Sequence, residues 1–120
     1  MLIDSNLVIY AALPQYGELR RFISEEGPSV SAITYVEVLG FHRLTDRQRR
    51  GFENFFVKAP ILALDDDVLE RAAQLRQLRR MGLGDSLIAG TALHHNLTLV
   101  THNTDDFQWV EGLDVFDPLR

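Results

Sequence analysis

The 120 residues predict an α/β fold in which a central, mainly parallel sheet of four to five strands is covered by helices on both faces. Two observations carry this expectation. Short apolar runs of strand length alternate with stretches of helical periodicity, and such alternation implies right-handed crossovers between parallel strands. The chain also has the length of one common domain, and 46% hydrophobic residues suffice for one core.

The elements follow in order. Residues 1–3 are apolar and end at Asp4, and Leu7, Val8, Ile9 and Tyr10 extend the run beyond one strand, so a short buried strand followed by a helix is expected. Pro14 suits a helix start, and residues 18–25 continue that helix until Gly27 and Pro28 break it. A second strand is expected over residues 29–32 and a helix over 33–41. Thr45 and Gln48 have the capping-box spacing, which opens a helix to about Lys58 with Phe52, Phe55 and Phe56 on one face. A third strand covers residues 60–64, and Asp65 caps a helix whose Val68, Leu69, Ala72 and Leu75 keep helical spacing up to Arg80. Gly82 and Gly84 make a turn, after which Asp85 begins a helix reaching His95 or Asn96. Residues 97–101 form a fourth strand and residues 113–116 a fifth. With no internal repeat, linker or low-complexity segment, one domain over residues 1–120 is the expected organisation.

Composition narrows the chemistry. Cysteine is absent, which removes disulfides, thiolate metal sites and cysteine nucleophiles, so any metal is held by oxygen or histidine. No apolar run approaches the roughly 18 residues of a membrane span, and the first residues lack a secretory pattern, so a cytoplasmic location with no membrane partner is expected. The net charge of −5 argues against a simple phosphate-gripping surface. That objection weakens where several acids gather around divalent cations.

The acids are placed where such a gathering is possible. Ligands of open α/β sheets bind beyond the carboxyl ends of the strands, where loops and helix N-termini converge. Asp4 ends the first strand, Glu37 lies on the first turns after the second, Asp85 starts a helix feeding the fourth, and Asp106 follows the fourth. Unit charges about 4 Å apart repel by roughly 4 kcal/mol at an effective dielectric near 20, so four converging carboxylates call for a cation. Hard oxygen donors favour Mg²⁺ or Mn²⁺, and such a site suits phosphodiester hydrolysis. Each acid also has a local reading. Asp4 can cap the following helix, Thr34 to Glu37 has capping-box spacing, Asp85 suits a helix dipole, and Asp105 and Asp106 can be ordinary loop acids.

Four stretches together resemble the PIN-domain ribonucleases, above all the VapC-like toxins of toxin–antitoxin pairs, along essentially the whole chain. They are Met1-Leu2-Ile3-Asp4-Ser5-Asn6, Ser31-Ala32-Ile33-Thr34-Tyr35-Val36-Glu37, Gly84-Asp85-Ser86-Leu87-Ile88-Ala89-Gly90-Thr91-Ala92 and Leu99-Val100-Thr101-His102-Asn103-Thr104-Asp105-Asp106-Phe107. The resemblance implies a three-layer α/β/α sandwich, Mg²⁺- or Mn²⁺-dependent cleavage of RNA, a small antitoxin partner that pushes a basic side chain into the acidic pocket, and homodimers. Position by position it makes Asp4, Glu37 and Asp85 metal-binding acids, and Ser5, Asn6, Thr34, Thr101 and Asn103 polar residues that orient ligands or substrate. The fourth acid is assigned to Asp106 rather than Asp105, because Asp106 immediately precedes Phe107. Many relatives carry an aspartate where this chain has Asn103, which can offer only a neutral oxygen, so one bound ion at rest is expected.

Other features carry less. Adjacent residues on a helix point about 100° apart, so His94 and His95 do not share a metal, while His102 lies close to the proposed site and is a weak candidate for phosphate contact. Arg43, Arg47, Arg49 and Arg50 fit a solvated helix face or a rim for RNA phosphate, and the three phenylalanines fit the core. Asp65, Asp66 and Asp67 resemble a helix cap. A phosphoacceptor receiver domain is disfavoured because Lys58, the sole lysine, precedes the third strand. A PIN-like binding module without catalysis is the second alternative, and the presence of all four acids speaks against it.

Overall fold

A computed structural model describes residues 1–120. In chain order the elements are β1 (Leu2–Ile3), α1 (Ser5–Ala11), α2 (Gly17–Glu26), β2 (Val30–Ser31), α3 (Ala32–Leu39), α4 (Asp46–Lys58), β3 (Ile61–Leu62), α5 (Asp66–Leu78), α6 (Leu83–His94), β4 (Leu99–Val100), α7 (Thr104–Phe107) and β5 (Val115–Phe116). The five strands stand where the apolar runs predict them.

All strand pairs are parallel. Leu2 and Ile3 face Leu99 and Val100, which in turn face Val115 and Phe116, while Val30 and Ser31 face Ile61 and Leu62. A single bridge between Leu2 and Ser29 joins the two groups, through hydrogen bonds from the Ile3 amide to the Ser29 carbonyl and from the Ser29 amide to the Met1 carbonyl, both 2.9 Å. The order across the sheet is therefore β3-β2-β1-β4-β5, and the direction of winding reverses between β1 and β4.

The period-two geometry of a strand sends neighbouring side chains to opposite faces. Ile3, Val30 and Val100 enter one fully buried layer with Leu7, Val8, Leu19, Val38, Phe52 and Phe56 of α1 to α4. Leu2 and Leu99 enter the other, with Leu75, Ile88, Ala89, Ala92 and Phe107 of α5 to α7. Strands buried on both faces have no polar alternation to show, which is why they read as plain apolar runs. The expected three-layer arrangement follows. None of the helices is long and apolar enough to cross a membrane.

Helix starts depart from the sequence reading in three places. Pro14 does not begin α2; it lies in the turn after α1, where the Arg20 guanidinium donates to the carbonyls of Ala11 at 2.8 Å and Leu13 at 2.7 Å. Those contacts satisfy acceptors left free at a helix C-terminus, at the cost of starting the next helix later. α6 begins at Leu83 with Gly82 as its N-cap, so Gly84 lies inside the first turn. The short α7 was not anticipated, because its four residues carry no periodicity. The capping box at Thr45 and Gln48 and the Asp65 cap are present as read, with Asp65 accepting from the Val68 amide at 3.0 Å. Phe52 and Phe56 are core, Phe55 is half-buried, and Leu69 points to solvent.

α5 and α6 pack closely because Gly90 lacks a side chain. A Cβ there would lie 3.0 Å from the Val68 carbonyl oxygen and 3.2 Å from the Ala72 amide nitrogen, both backbone atoms that cannot swing aside. Gly90→Val is expected to lower the unfolding free energy by about 2 kcal/mol, the usual scale of overpacking, in urea denaturation. A loss below about 0.5 kcal/mol would show that the two helices part without strain.

Candidate active site

The site begins with the register of β1 against β4. Ile3 pairs with Val100, so the next residues, Asp4 and Thr101, emerge side by side at the carboxyl end of the sheet, at the reversal of strand order where open α/β sheets bind ligands. The Asp4 amide donates to the Val100 carbonyl at 2.9 Å, and the Thr101 hydroxyl donates to the Asp4 carboxylate at 2.8 Å. Asp4 is only 3% exposed. It occupies the N-cap position of α1 without a side-chain hydrogen bond of cap geometry, although the first amides of that helix still favour its charged form. Burial drives its pKa above the usual carboxylate range and Glu37 adds to the rise, while Thr101 and the amides of Ser5 and Asn6 oppose it.

Glu37 comes from α3. The Thr34 to Glu37 capping box does not form. Ser31 is the N-cap of α3, accepting from the Ile33 amide, and Thr34 is a buried interior residue of that helix. Ser5 Oγ instead lies 2.7 Å from Glu37 Oε1 and 2.9 Å from Thr34 Oγ1. A hydroxyl has one proton, and the carboxylate can only accept, so Ser5 donates to Glu37 and the Thr34 hydroxyl completes the chain. The Glu37 carboxylate is thereby aimed across α1 toward the start of α6.

There it meets Gly84. A Cβ at Gly84 would lie 2.5 Å from Glu37 Oε2, so the glycine leaves the space that the carboxylate fills. Asp85 follows in the first turn of α6. A helix N-terminus alone would favour its charged form. The opposite occurs: burial, then Asp4, Asp106 and Glu37, push Asp85 up to about 6. Asp4, Asp106 and Glu37 are thus the acids whose charges act on Asp85, and Asp105 is not among them. Every ion pair of the chain lies elsewhere, on Asp65, Asp67 and Asp117, so no basic side chain of the protein compensates the cluster.

The remaining polar candidates divide. Ser5, Thr34 and Thr101 touch the acids or one another. Asn103 reaches the site through its backbone, its amide donating to Thr101 Oγ1 at 3.0 Å, and Asn6 is exposed. A second group, Asp65, Asp67 and His94, has donor atoms within 4.8 Å of one another, but His94 closes α6 about 13 Å of helix rise beyond Asp85, so this group is not part of the cluster. His94 and His95 meet edge to face with centroids 4.8 Å apart, not as joint ligands. One acid at the sheet edge escaped the sequence reading. Asp117, 9% exposed, directly follows β5 and accepts from His102 and from the Leu119 amide, each at 2.9 Å. Its signal was the same as for Asp4, an acid immediately after a strand.

Residues 1–113 match the PIN domain family. The chain belongs to that family. This PIN domain is 29% identical to the tRNA(fMet)-specific endonuclease VapC of Shigella flexneri over 97% of its own length and 96% of the relative's. Among solved structures, a toxin–antitoxin complex from Klebsiella pneumoniae contains a chain 28% identical, with a TM-score of 0.79 and coverage of 98% and 96%. DNA-bound VapBC from Salmonella typhimurium contains one of the same fold, TM-score 0.86 at 22% identity, with the same coverage.

The donor set of this PIN domain fits a hard divalent cation in its chemistry, although no three of the four acids bring their oxygens within 4.8 Å of one another. Asp4, Glu37, Asp85 and Asp106 offer carboxylate oxygens and no sulfur or imidazole, and their mutual repulsion is relieved by positive charge. Two predictions follow from the crowding. Gly84→Ala displaces the Glu37 carboxylate while favouring the helix, so Mn²⁺ affinity by calorimetry is expected to fall at least fivefold with thermal stability unchanged or raised. Unaltered affinity would show that Glu37 finds an equivalent position. The second concerns pH. The folded pKa of Asp85 exceeds its unfolded value of 3.8, so the metal-free native state holds the extra proton; the associated stability is present below pH 3.8 and lost as pH rises through about 6. In chelator, the melting temperature of the unsubstituted protein relative to Asp85→Asn is expected to fall across that interval, and parallel curves would refute the crowding.

Proposed function

We propose that the chain is a Mg²⁺- or Mn²⁺-dependent endoribonuclease, the toxin of a toxin–antitoxin pair. What supports this reading is the mutual electrostatic influence of Asp4, Glu37, Asp85 and Asp106 beyond the carboxyl ends of β1 and β4, with no ion pair among them. Asp4, Glu37, Asp85 and Asp106 would hold the ion. When bound, the cation supplies charge neutralisation for the phosphodiester and activation of the attacking water. The protein's own part is positional: Thr101 fixes Asp4, Ser5 fixes Glu37, and neither spends a positive charge in doing so. Glu37 and Asp106 lie toward solvent at the rim, which leaves the crevice open to an extended strand of RNA.

The reading extends to partners and place. An antitoxin is supported by the structural relative from Klebsiella pneumoniae, which was solved as a toxin–antitoxin complex. A groove of about 800 Å³ between α1, α2 and α4, with Val8, Ile23 and Phe55 in its walls and Arg20, Arg47 and Lys58 at its rim, would accept an apolar segment bearing acids. Homodimerisation is supported by the exposed apolar residues Tyr35, Val36 and Phe41. One domain would carry the activity, in the cytoplasm where RNA is encountered. The reading as an inert PIN-like binding module is not favoured, since all four acids are retained.

The test is cleavage of structured and unstructured RNAs in Mg²⁺ or Mn²⁺. The unsubstituted protein is expected to cleave and to stop when chelator is added, and Asp4→Asn to lose at least a hundredfold in rate, about 2.7 kcal/mol of barrier. Equal cleavage by Asp4→Asn would remove the assignment, and RNA that binds but stays intact in Mn²⁺ would favour the binding module.

A further inference from the structure

The carboxyl edge of the sheet holds a second constellation beside the acids. Asp4, Thr101 and Asp117 are the residues that follow β1, β4 and β5, three adjacent strands in register. Adjacent strands lie about 4.8 Å apart, so Asp117 stands roughly 10 Å from Asp4 along one edge. Side chains alternate past the strand end. Thr101 turns to Asp4 on β1, and His102 turns the other way, to Asp117 on β5.

Asp117 is an unusual neighbour for a merely surface histidine. Its side chain is 6% exposed, its Oδ1 accepts from the Leu119 amide at 2.9 Å, and its Oδ2 accepts from His102 Nδ1 at 2.9 Å and forms an ion pair with Arg120 Nε at 3.2 Å. The carboxylate can only accept, so His102 Nδ1 carries a proton, and the ring is held in one orientation with Nε2 as its remaining polar atom. The His102 side chain is 41% exposed, so the ring is accessible to a ligand. A buried carboxylate fixing one imidazole nitrogen while the other meets a ligand is the arrangement that orients functional histidines.

We infer that His102, positioned by Asp117, binds an RNA phosphate next to the one undergoing cleavage. The assignment rests on the ribonuclease reading and adds to it a subsite the acid cluster cannot supply. Carboxylates repel the phosphates that flank the scissile one, and a divalent cation at Asp4 acts on the nearest phosphate only. A donor roughly two strands away gives the strand a second point of attachment, which fixes its direction across the crevice. With both nitrogens protonated, His102 donates through Nε2 to a phosphate oxygen while Asp117 balances the ring's charge. Asp117 touches no substrate and acts as the positioning residue.

The test compares His102→Gln, Asp117→Asn and, as a control on a histidine away from the edge, His95→Gln. Binding of a fluorescein-labelled single-stranded RNA of mixed sequence is measured by anisotropy in an Asp4→Asn background with Mn²⁺, and cleavage kinetics are measured without that background. His102→Gln is expected to weaken binding about tenfold, the scale of one charge-assisted hydrogen bond, and to reduce the slope of log affinity against log salt by about 0.7, one phosphate contact on a single strand. In cleavage, KM is expected to rise about tenfold with kcat within about threefold, and His95→Gln to match the parent. Asp117→Asn is expected to weaken binding less, and the double substitution to add little to His102→Gln alone. Unchanged KM and salt slope in His102→Gln, in a protein that cleaves RNA, overturns the inference alone. So does a loss of affinity that tracks melting temperature with no change in salt slope, the mark of a structural tie. No cleavage by the unsubstituted protein in Mg²⁺ or Mn²⁺ removes the ribonuclease reading and this inference with it.

Discussion

β1 is held on both sides by parallel pairing, to Ser29 through the Ile3 amide and to Val100 through the Asp4 amide. Both of its residues are fully buried, one in each core layer. The chain therefore cannot slip by one residue without exchanging the layers, and a parallel partner fixes the register again at β4. Asp4 inherits its position from that constraint. It is the first residue past a strand whose register is over-determined, set against Thr101, which has the same standing on β4. The strand order reverses at this pair, with α1 to α4 on one face and α5 to α7 on the other, and in open α/β sheets the ligand crevice lies at such a reversal. Glu37 and Asp85 enter it from α3 and α6, one from each layer.

Burying a carboxylate in such a place is unfavourable, and the structure shows how the cost is distributed. The hydroxyls of Thr101 and Ser5 hydrogen-bond to Asp4 and Glu37, and the missing side chain of Gly84 gives Glu37 room. No arginine or lysine of the chain enters. A hydroxyl can orient a carboxylate without neutralising it, whereas an ion pair would do both and would compete with any cation from outside. Burial first, and then the charges of Asp4, Asp106 and Glu37, raise Asp85 to about 6. That is the property a cation site requires: acids held in place and still electrostatically unsatisfied.

Much of this was legible in the sequence. The five strands and the fold class could be read because buried parallel strands are short continuous apolar runs and their spacing left room for crossovers. Asp4 and Asp85 stand where the sequence puts them, one after a strand and one in the first turn of a helix, whereas Glu37 lies well inside α3. Where local signals competed, tertiary contacts decided. Thr34 and Glu37 have capping-box spacing, yet Ser31 caps the helix, because β2 ends there and Thr34 is drawn inward to Ser5. Pro14 signals a helix start, yet Arg20 closes the preceding turn over it. Gly84 read as a turn residue, since a sequence cannot show that a carboxylate from a helix far away in the chain fills the space over it. Asp117 directly follows the fifth strand as read, but its partners His102 and Arg120 are brought to it only by the fold.

The negative charge of the whole chain then has a specific meaning. A net charge of −5 gives weak general attraction for polyanions, so the proposed affinity for RNA would not rest on a diffuse basic face. It would come from few points: cations held by the acid cluster and individual basic side chains beside it. Two basic side chains are tied to the sheet edge, His102 and Arg120, and both meet Asp117. Asp4 and Asp117, the buried acids after β1 and β5, thus differ in what surrounds them. Asp4 is surrounded by other carboxylates and hydroxyls, which leaves a demand for positive charge; Asp117 is surrounded by basic groups, which leaves donors directed outward. An RNA strand crossing from one to the other would meet first a site that needs a cation and then a site that provides one. The same strand-end position yields opposite electrostatics because the neighbouring elements supply different partners, and that difference gives the edge a direction.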